Sequence, residues 1–215
     1  ANPKLDGVWT DGGGSAQGTR WSVGVFRSDA KDDLLFVADN AAGFGYFKNF
    51  GKTRRQGLEL GFETALDSRV TLGANYTWLD ATYRSAEVVD GSGNSSNEEA
   101  EEGFPGVEGT IAIRPGDRIP LVPRQMLKLF ADVKANDALT LGLELVAVGS
   151  SLARGNENGQ HQPDGVYYLG PGRSPGYAVL NLRGEYRAGG GLKLFAQIND
   201  LLDRRYSTAA QLGAT

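Results

Sequence analysis

The stretch Val70-Thr71-Leu72-Gly73-Ala74-Asn75-Tyr76-Thr77-Trp78-Leu79 decides the fold. Val70, Leu72, Ala74, Tyr76 and Trp78 fall on one side of an extended chain, because successive strand side chains point to opposite faces. Thr71, Gly73, Asn75 and Thr77 fall on the other. The same period of two recurs. Leu58, Leu60 and Phe62 oppose Glu59, Gly61 and Glu63; Leu127, Leu129, Ala131 and Val133 oppose Lys128, Phe130, Asp132 and Lys134. Leu139, Leu141, Leu143 and Leu145 alternate with Thr140, Gly142 and Glu144. Ala178, Leu180 and Leu182 alternate with Asn181, Arg183 and Glu185, and Leu192, Leu194, Ala196 and Ile198 with Lys193, Phe195, Gln197 and Asn199. A helical period of 3.6 fits none of these stretches well. A register slip of one residue would turn every side chain to the wrong face, so the pattern is a strong constraint.

Working outward, Trp21 to Arg27 reads as a first strand and Leu34 to Ala38 as a second, which makes eight strand-like stretches from Thr19 onward. Their connections alternate in length. Arg27 to Leu34, Leu66 to Val70, Lys134 to Leu139 and Arg187 to Leu192 read as tight turns. Asn40 to Arg55, Ser85 to Val122 and Ser150 to Gly176 read as long polar loops. Short turns at one end and long loops at the other are the layout of a bacterial outer-membrane barrel. The expected fold class is therefore all-β: an antiparallel meander, about eight strands of a larger transmembrane β-barrel. Residues 1–18, with Asn2-Pro3 and Gly12-Gly13-Gly14, read as a loop; 19–206 hold the strands and loops; 207–215 begin the last outer loop.

Composition bounds the function. The chain has 215 residues, 40% hydrophobic, with a formal net charge of −4. Lys and Arg are scattered with no basic stripe, which argues against a nucleic-acid partner. The absence of Cys removes disulfides, thiolate metal sites and a cysteine nucleophile. No stretch reaches the roughly 20 apolar residues of a membrane helix. A mean hydropathy of −0.33 does not exclude a barrel, since only every second strand residue meets lipid. No secretory leader opens the sequence, and an outer-membrane protein needs one, so the expectation is that the native N-terminus lies elsewhere.

A soluble antiparallel sheet, apolar toward a core and polar toward water, is the competing reading. Two features favour the membrane. The alternating segments run to roughly 9 to 11 residues, the length of a tilted spanning strand. Trp78, Tyr177, Tyr186 and Tyr206 sit near strand ends, where barrels carry aromatic girdles. The order of turns puts both chain ends at the long-loop side, whereas a complete bacterial barrel has both at the short-turn side. Part of a larger barrel is the simpler account.

Three segments carry a resemblance. Tyr46-Phe47-Lys48-Asn49-Phe50-Gly51-Lys52-Thr53-Arg54-Arg55-Gln56-Gly57-Leu58-Glu59-Leu60 resembles TonB-dependent outer-membrane receptors, where an aromatic-x-Asn-x-Gly loop end runs into a Gly-hydrophobic-Glu strand. Ile119-Pro120-Leu121-Val122-Pro123-Arg124 resembles the family's Pro-rich lead into a later strand. Pro175-Gly176-Tyr177 through Asn199-Asp200-Leu201-Leu202-Asp203-Arg204-Arg205-Tyr206 resembles its penultimate strands, with Asp200 where Asn is usual and Leu202 where Phe is usual. The resemblance implies about 8 of roughly 22 barrel strands. It also implies a plug domain and a box that contacts the inner-membrane energy coupler TonB, neither of them visible here, and a final aromatic-ended strand.

Candidate functional residues follow. Glu59, Glu63, Lys128, Asp132, Glu144, Arg183, Glu185 and Lys193 are expected to face a polar lumen, since a charge on the lipid face near mid-bilayer costs roughly 2–4 kcal/mol. Among the outer loops, Arg114 and Arg118 flank Pro115-Gly116-Asp117, and Ser150–Gly176 holds Arg154, His161, Tyr167, Tyr168 and Arg173. Aromatic and basic side chains suit capture of an aromatic or anionic chelate. Ser85–Val122 holds eight acidic residues, with Glu98, Glu99, Glu101 and Glu102 clustered. Their spacing matches no Ca²⁺ loop, so a solvated loop is expected and no metal site or cofactor is assigned. No nucleophile elbow, phosphate-cradling loop or paired carboxylates support an enzyme. The leading expectation is a receptor in the bacterial outer membrane, in contact with its lipid. The resemblance implies active import of a scarce ligand, most often a ferric siderophore, energised by TonB through the plug. The alternatives are a passive porin or small structural barrel, and a soluble β-sheet binding module.

Overall fold

The computed structural model describes residues 4–16, 18–38, 45–91, 109–163 and 170–212. Eight strands form one antiparallel sheet in chain order: β1 (Lys4–Ala16), β2 (Thr19–Val37), β3 (Tyr46–Ala65), β4 (Val70–Tyr83), β7 (Gln125–Lys134), β8 (Leu139–Val148), β11 (Tyr177–Arg187) and β12 (Lys193–Ile198). Two small hairpins sit in the long loops. They are β5 (Glu87–Asp90) with β6 (Thr110–Ile113), and β9 (Ser151–Leu152) with β10 (Arg173–Ser174). The sheet is a meander not closed on itself within this chain.

The register converts the alternation into continuous rows. Trp21 pairs with Phe62, Phe62 with Ala74, Ala74 with Leu129, Leu129 with Leu145 and Leu145 with Leu180. One level away, Val23, Leu60, Tyr76, Leu127, Ala147 and Ala178 form a second row. These apolar side chains stay largely open among the described residues: Trp21 is 50% exposed, Phe62 47% and Leu129 39%. An apolar face this broad on an isolated soluble sheet would be an association surface; facing hydrocarbon it is in its proper solvent.

The short turns share one end of the sheet and a common device. Asp67 Oδ1 accepts the N–H groups of Arg69 and Val70 at 2.7 and 2.8 Å. Asn136 Oδ1 accepts those of Ala138 and Leu139, both at 2.9 Å. An Asx side chain thus does for each turn what a backbone carbonyl would otherwise do. The β11–β12 connection is tighter in another way: Gly189, Gly190 and Gly191 all take positive φ, which Gly adopts with little steric cost.

The structure corrects three expectations. Within the stretch 1–18, read as a loop, Lys4–Ala16 is a strand that pairs with β2 along its length. The glycine run, read as a breaker, gives the neighbouring strand room: a Cβ on Gly14 would lie 2.9 Å from the Trp21 indole nitrogen. Arg27 to Leu34 is not a turn, since Thr19–Val37 is one strand of 19 residues. Asn40 to Arg55 is mostly not a loop, because β3 begins at Tyr46 and runs for 20 residues. The count of eight survives only because β1 replaces a strand that the false turn had created.

The false turn marks a real event. On β2, Gly24, Phe26, Ser28 and Ala30 are the more covered residues, and beyond them Asp33, Leu35 and Val37 are. On β3 the covered positions pass from Phe50 to Thr53, again skipping two. Lys31 pairs with Lys52 and Asp33 with Phe50, while Asp32 between them takes φ +53°. Asp tolerates this left-handed conformation better than most residues. Both strands therefore exchange faces at one level while keeping register.

Above that level lies the buried core of the molecule. Val37, Phe50, Ala81, Tyr83, Val89, Ile111, Ile113 and Ile119 form one cluster, with Leu35 and Val122 against it. Phe50 is 0% exposed, and its ring lies 5.0 Å from that of Tyr83. The β5–β6 hairpin supplies Val89, Ile111 and Ile113, so the loop core is made by the loop packing onto the strand tops.

Candidate functional site

The face opposite the apolar rows is ionic. Register places Glu59, Glu63, Lys128, Asp132, Glu144, Arg183, Glu185 and Lys193 together on it. Lys128 Nζ lies 2.5 Å from Glu144 Oε2. Arg183 Nη2 donates to both carboxylate oxygens of Asp132, at 2.6 and 2.7 Å. Lys193 approaches Glu185 at 3.7 Å. Asn181 Nδ2 donates to the other oxygen of Glu144 at 3.3 Å. Close backbone approach makes room for this traffic. A Cβ on Gly142 would stand 2.3 Å from Arg183 Nε, and one on Gly73 2.0 Å from the Phe130 ring. Half-exposed pairs of this kind are worth about 0–1 kcal/mol each; their effect is to hold long side chains flat against the wall.

The outer end is built from three cross-tied segments. In the β4–β7 connection, Glu87 Oε1 accepts the Gly51 N–H at 2.9 Å, and Lys48 Nζ donates to Val88 O at 2.7 Å. Past the hairpin the chain returns along β4: Gly116 N donates to Tyr83 O and Ile119 N to Ala81 O, at 2.9 and 3.0 Å. Leu121 N then donates to Leu152 O at 2.9 Å, joining this connection to β9. In the β8–β11 connection Asn156 is the knot. Its Nδ2 donates to Gly172 O at 2.9 Å and its Oδ1 accepts the His161 N–H at 3.1 Å. The segment after β12 closes the set. Tyr206 stacks on Tyr177 at 4.5 Å, Ser174 Oγ donates to Ser207 O at 3.0 Å, and Arg154 N donates to Ala210 O at 3.0 Å.

The expected outer-loop residues separate into groups. Arg114 is exposed on a turn closed by its own N–H to Asp117 Oδ2 at 2.6 Å. Arg154 lies over the Phe36 ring at 4.6 Å, spanning from the β8–β11 connection to β2; such a cation–π contact fixes the guanidinium plane. His161 is buried, and its Nε2 sits 2.8 Å from Gly170 O, which gives it a structural bond within its own loop. Burial, with Arg124 and Arg173 close by, lowers the pKa of the Arg118 guanidinium. Tyr167, Tyr168 and the acidic cluster at Glu98 to Glu102 lie outside the described residues.

Sequence reasoning missed the part played by several further residues. Asp33 Oδ2 accepts from Thr53 Oγ1 at 2.6 Å and Arg55 Nη1 at 2.8 Å. Arg124 Nη2 donates to Asp80 Oδ1 at 3.1 Å. Glu157 is 1% exposed; its Oε1 accepts the Gly155 N–H at 3.0 Å, and its Oε2 has no hydrogen-bond partner among the described residues. Burial pushes its carboxyl pKa up. No local pattern announces these residues, because each partner lies in a different element or the signal is burial itself.

The sequence model of the TonB-dependent receptor-like β-barrel matches residues 5–201. The chain belongs to this family. A probable TonB-dependent siderophore receptor, PiuA of Acinetobacter baumannii, is 22% identical over 202 residues, covering 90% of this chain and 23% of that protein. The chain thus spans about a quarter of the length of the relative it matches. The crystal structure of the same receptor superposes with a TM-score of 0.65 at 18% identity, covering 99% of this chain and 26% of that one. The ferric yersiniabactin uptake receptor FyuA of Yersinia pestis gives 0.63 at 17% identity, covering 96% and 26%. The copper transporter OprC gives 0.64 at 14%, covering 98% and 27%. At these identities the superpositions establish the fold. The chain is a run of strands and outer loops from an outer-membrane receptor barrel, and its apolar rows face lipid.

Proposed function

We propose that the protein carrying this chain imports a scarce ligand, a ferric siderophore, across the bacterial outer membrane. The observation that carries the reading is the family match over 5–201, joined to a relative described as a siderophore receptor. The geometry is consistent in its chemistry. The ionic face offers a wetted inner wall, and Arg114 with Arg154 stands among the cross-tied outer loops, where Tyr167 and Tyr168 also belong by sequence. These four are the proposed capture residues; their guanidinium and phenol groups suit an anionic, aromatic chelate. Energy is supplied, in this reading, by TonB acting on a plug domain outside these residues. The family is one of transporters, and no catalytic role is assigned.

The test is uptake of radioiron-labelled siderophores by cells that lack their own receptors and express the full-length protein, with and without an intact TonB. Saturable uptake that stops when TonB is removed is expected, and Arg154→Ala should weaken ligand binding. Uptake that persists without TonB, or conductance of the purified barrel without a ligand, would instead establish a passive pore.

A further inference from the structure

Arg154 is fastened unlike the arginines of the sheet. Those pair with carboxylates: Arg55 with Asp33, Arg124 with Asp80 and Arg183 with Asp132. No described carboxylate lies within ion-pair distance of Arg154, and its guanidinium lies over the Phe36 ring at 4.6 Å instead. Its backbone is tied on both sides of the residue. The Arg154 N–H donates to Ala210 O at 3.0 Å, and the Leu212 N–H donates to Arg154 O at 2.8 Å, which makes a parallel bridge with Gln211. Both bonds come from one segment, the chain that follows β12.

That segment takes a defined path across the wall. β12 stops pairing at Ile198, opposite Leu182, while β11 begins five residues earlier, at Tyr177. Asp200 and Asp203 then take φ +50° and +49°, left-handed conformations that turn the chain out of the sheet. Asp203 N donates to Asp200 O and Arg204 N to Asp200 Oδ2, both at 2.9 Å, which closes the turn. Its base is tied to β11: Leu201 N donates to Leu180 O at 2.7 Å and Asp200 N to Asn181 Oδ1 at 3.0 Å. Halfway along, the Tyr206 ring lies on that of Tyr177 with 22° between their planes. Beside it, Ser174 Oγ holds Ser207 O, and Ser174 is buried. The path ends on the backbone of Arg154.

An arginine on a loose loop loses much rotamer and backbone freedom when it grips an anion. Here the backbone is paired and the guanidinium plane rests on a ring before any anion arrives, while no carboxylate competes for its N–H groups. We infer that residues 200–212 form a positioning strap: by stacking on Tyr177, Tyr206 seats residues 210–212 on the Arg154 backbone and holds the guanidinium ready for an anionic chelate. Tyr206 is a positioning residue that acts through Arg154. The inference rests on the import reading for the nature of the anion.

The experiment uses the full-length receptor in detergent and two ferric probes: the trianionic complex of a tripodal tricatecholate and the neutral complex of a tripodal trihydroxamate. Calorimetry reads binding, and amide hydrogen exchange without a probe reads the strap. Tyr206→Ala should speed exchange of the Arg154 and Leu212 amides. It should weaken binding of the trianionic complex about tenfold, the contribution of one charge-assisted hydrogen bond, and leave the neutral complex unaffected. Tyr206→Phe, which keeps the stack, should restore binding, and Tyr206→Ala added to Arg154→Ala should cost nothing more. Heat-modifiable gel migration confirms that each variant is a folded barrel. Unchanged exchange of the two amides in Tyr206→Ala, equal losses for both complexes, or a loss that adds to that of Arg154→Ala overturns the inference. A wild-type receptor that does not bind the trianionic complex would remove the import of an anionic chelate, and exchange at Arg154 and Leu212 would then decide the strap alone.

Discussion

The two ends of the sheet obey different rules although the same strands run through both. At the short-turn end every second residue is apolar, and the rows through Phe62, Ala74, Leu129 and Leu145 never break. At the long-loop end β2 and β3 exchange faces and enclose Phe50 and Val37 under a hairpin. The lower wall is organised by its solvent: lipid on one side and water on the other demand strict alternation. The upper wall has water on both sides, so it is stable only where it builds a protein core of its own.

The largest test of this contrast removes the upper core. Phe50→Ala should cost about 3–5 kcal/mol of local stability. Hydrogen exchange on the full-length receptor should show faster opening of β5 and β6, with the amides of β7 and β8 near Leu145 unchanged. Loss of protection along the whole sheet would mean that the two ends are one cooperative unit.

In the lower wall, Leu129→Arg places a charge on the lipid face and should cost about 2–4 kcal/mol if the site lies near mid-bilayer. Refolding into vesicles against urea measures it. Lys128→Leu, one residue away on the ionic face, should change stability by less than about 1 kcal/mol. Similar losses for the two would remove the distinction between faces.

Asn156→Ala breaks both ties of the β8–β11 knot and should cost about 1–3 kcal/mol, read as faster exchange of the His161 amide.

The ends should also answer pH with opposite sign. The raised pKa of Glu157 means that the folded loop holds its proton more tightly than the unfolded one. Its contribution is full below the ordinary carboxylate pKa of about 4.3 and fades as pH rises through the raised value. The N–H groups of Arg69 and Val70 lower the pKa of Asp67, so its turn is favoured above the ordinary Asp value of about 3.9 and loses support as pH falls through the lowered one. Exchange rates of the Gly155 and Val70 amides, corrected for intrinsic pH dependence, should diverge accordingly, and Glu157→Gln should flatten the first. The smallest expected effect is the coupling of Arg183 with Asp132 in a double-mutant cycle, about 0.2–1 kcal/mol.

What was legible in the sequence follows the same division. Leu129, Leu145 and Leu180 announced their face because a bilayer leaves them no choice. Ser28 to Asp33 read as a turn because polar residues in succession usually break a strand, whereas here both faces of the strand are wet. Gly12 to Gly14 read as a breaker because the need for space came from Trp21, on the next strand. At the outer end, Arg114 and Arg154 were visible as basic loop residues. The part played by Arg124 depends on Asp80, and the state of Glu157 on its burial, and neither is written in local spacing.

Asp32 gives the chain a joint. Below it, inserting or deleting one residue would reverse every side chain against the bilayer. Above it, the phase has already been reset, and Asp33, Thr53 and Arg55 clamp the new setting in place. Outer segments of different length and chemistry can therefore be exchanged at this level while the membrane-spanning rows keep their phase. Recombination above the joint would then renew the outer end and leave the wall beneath it as inherited.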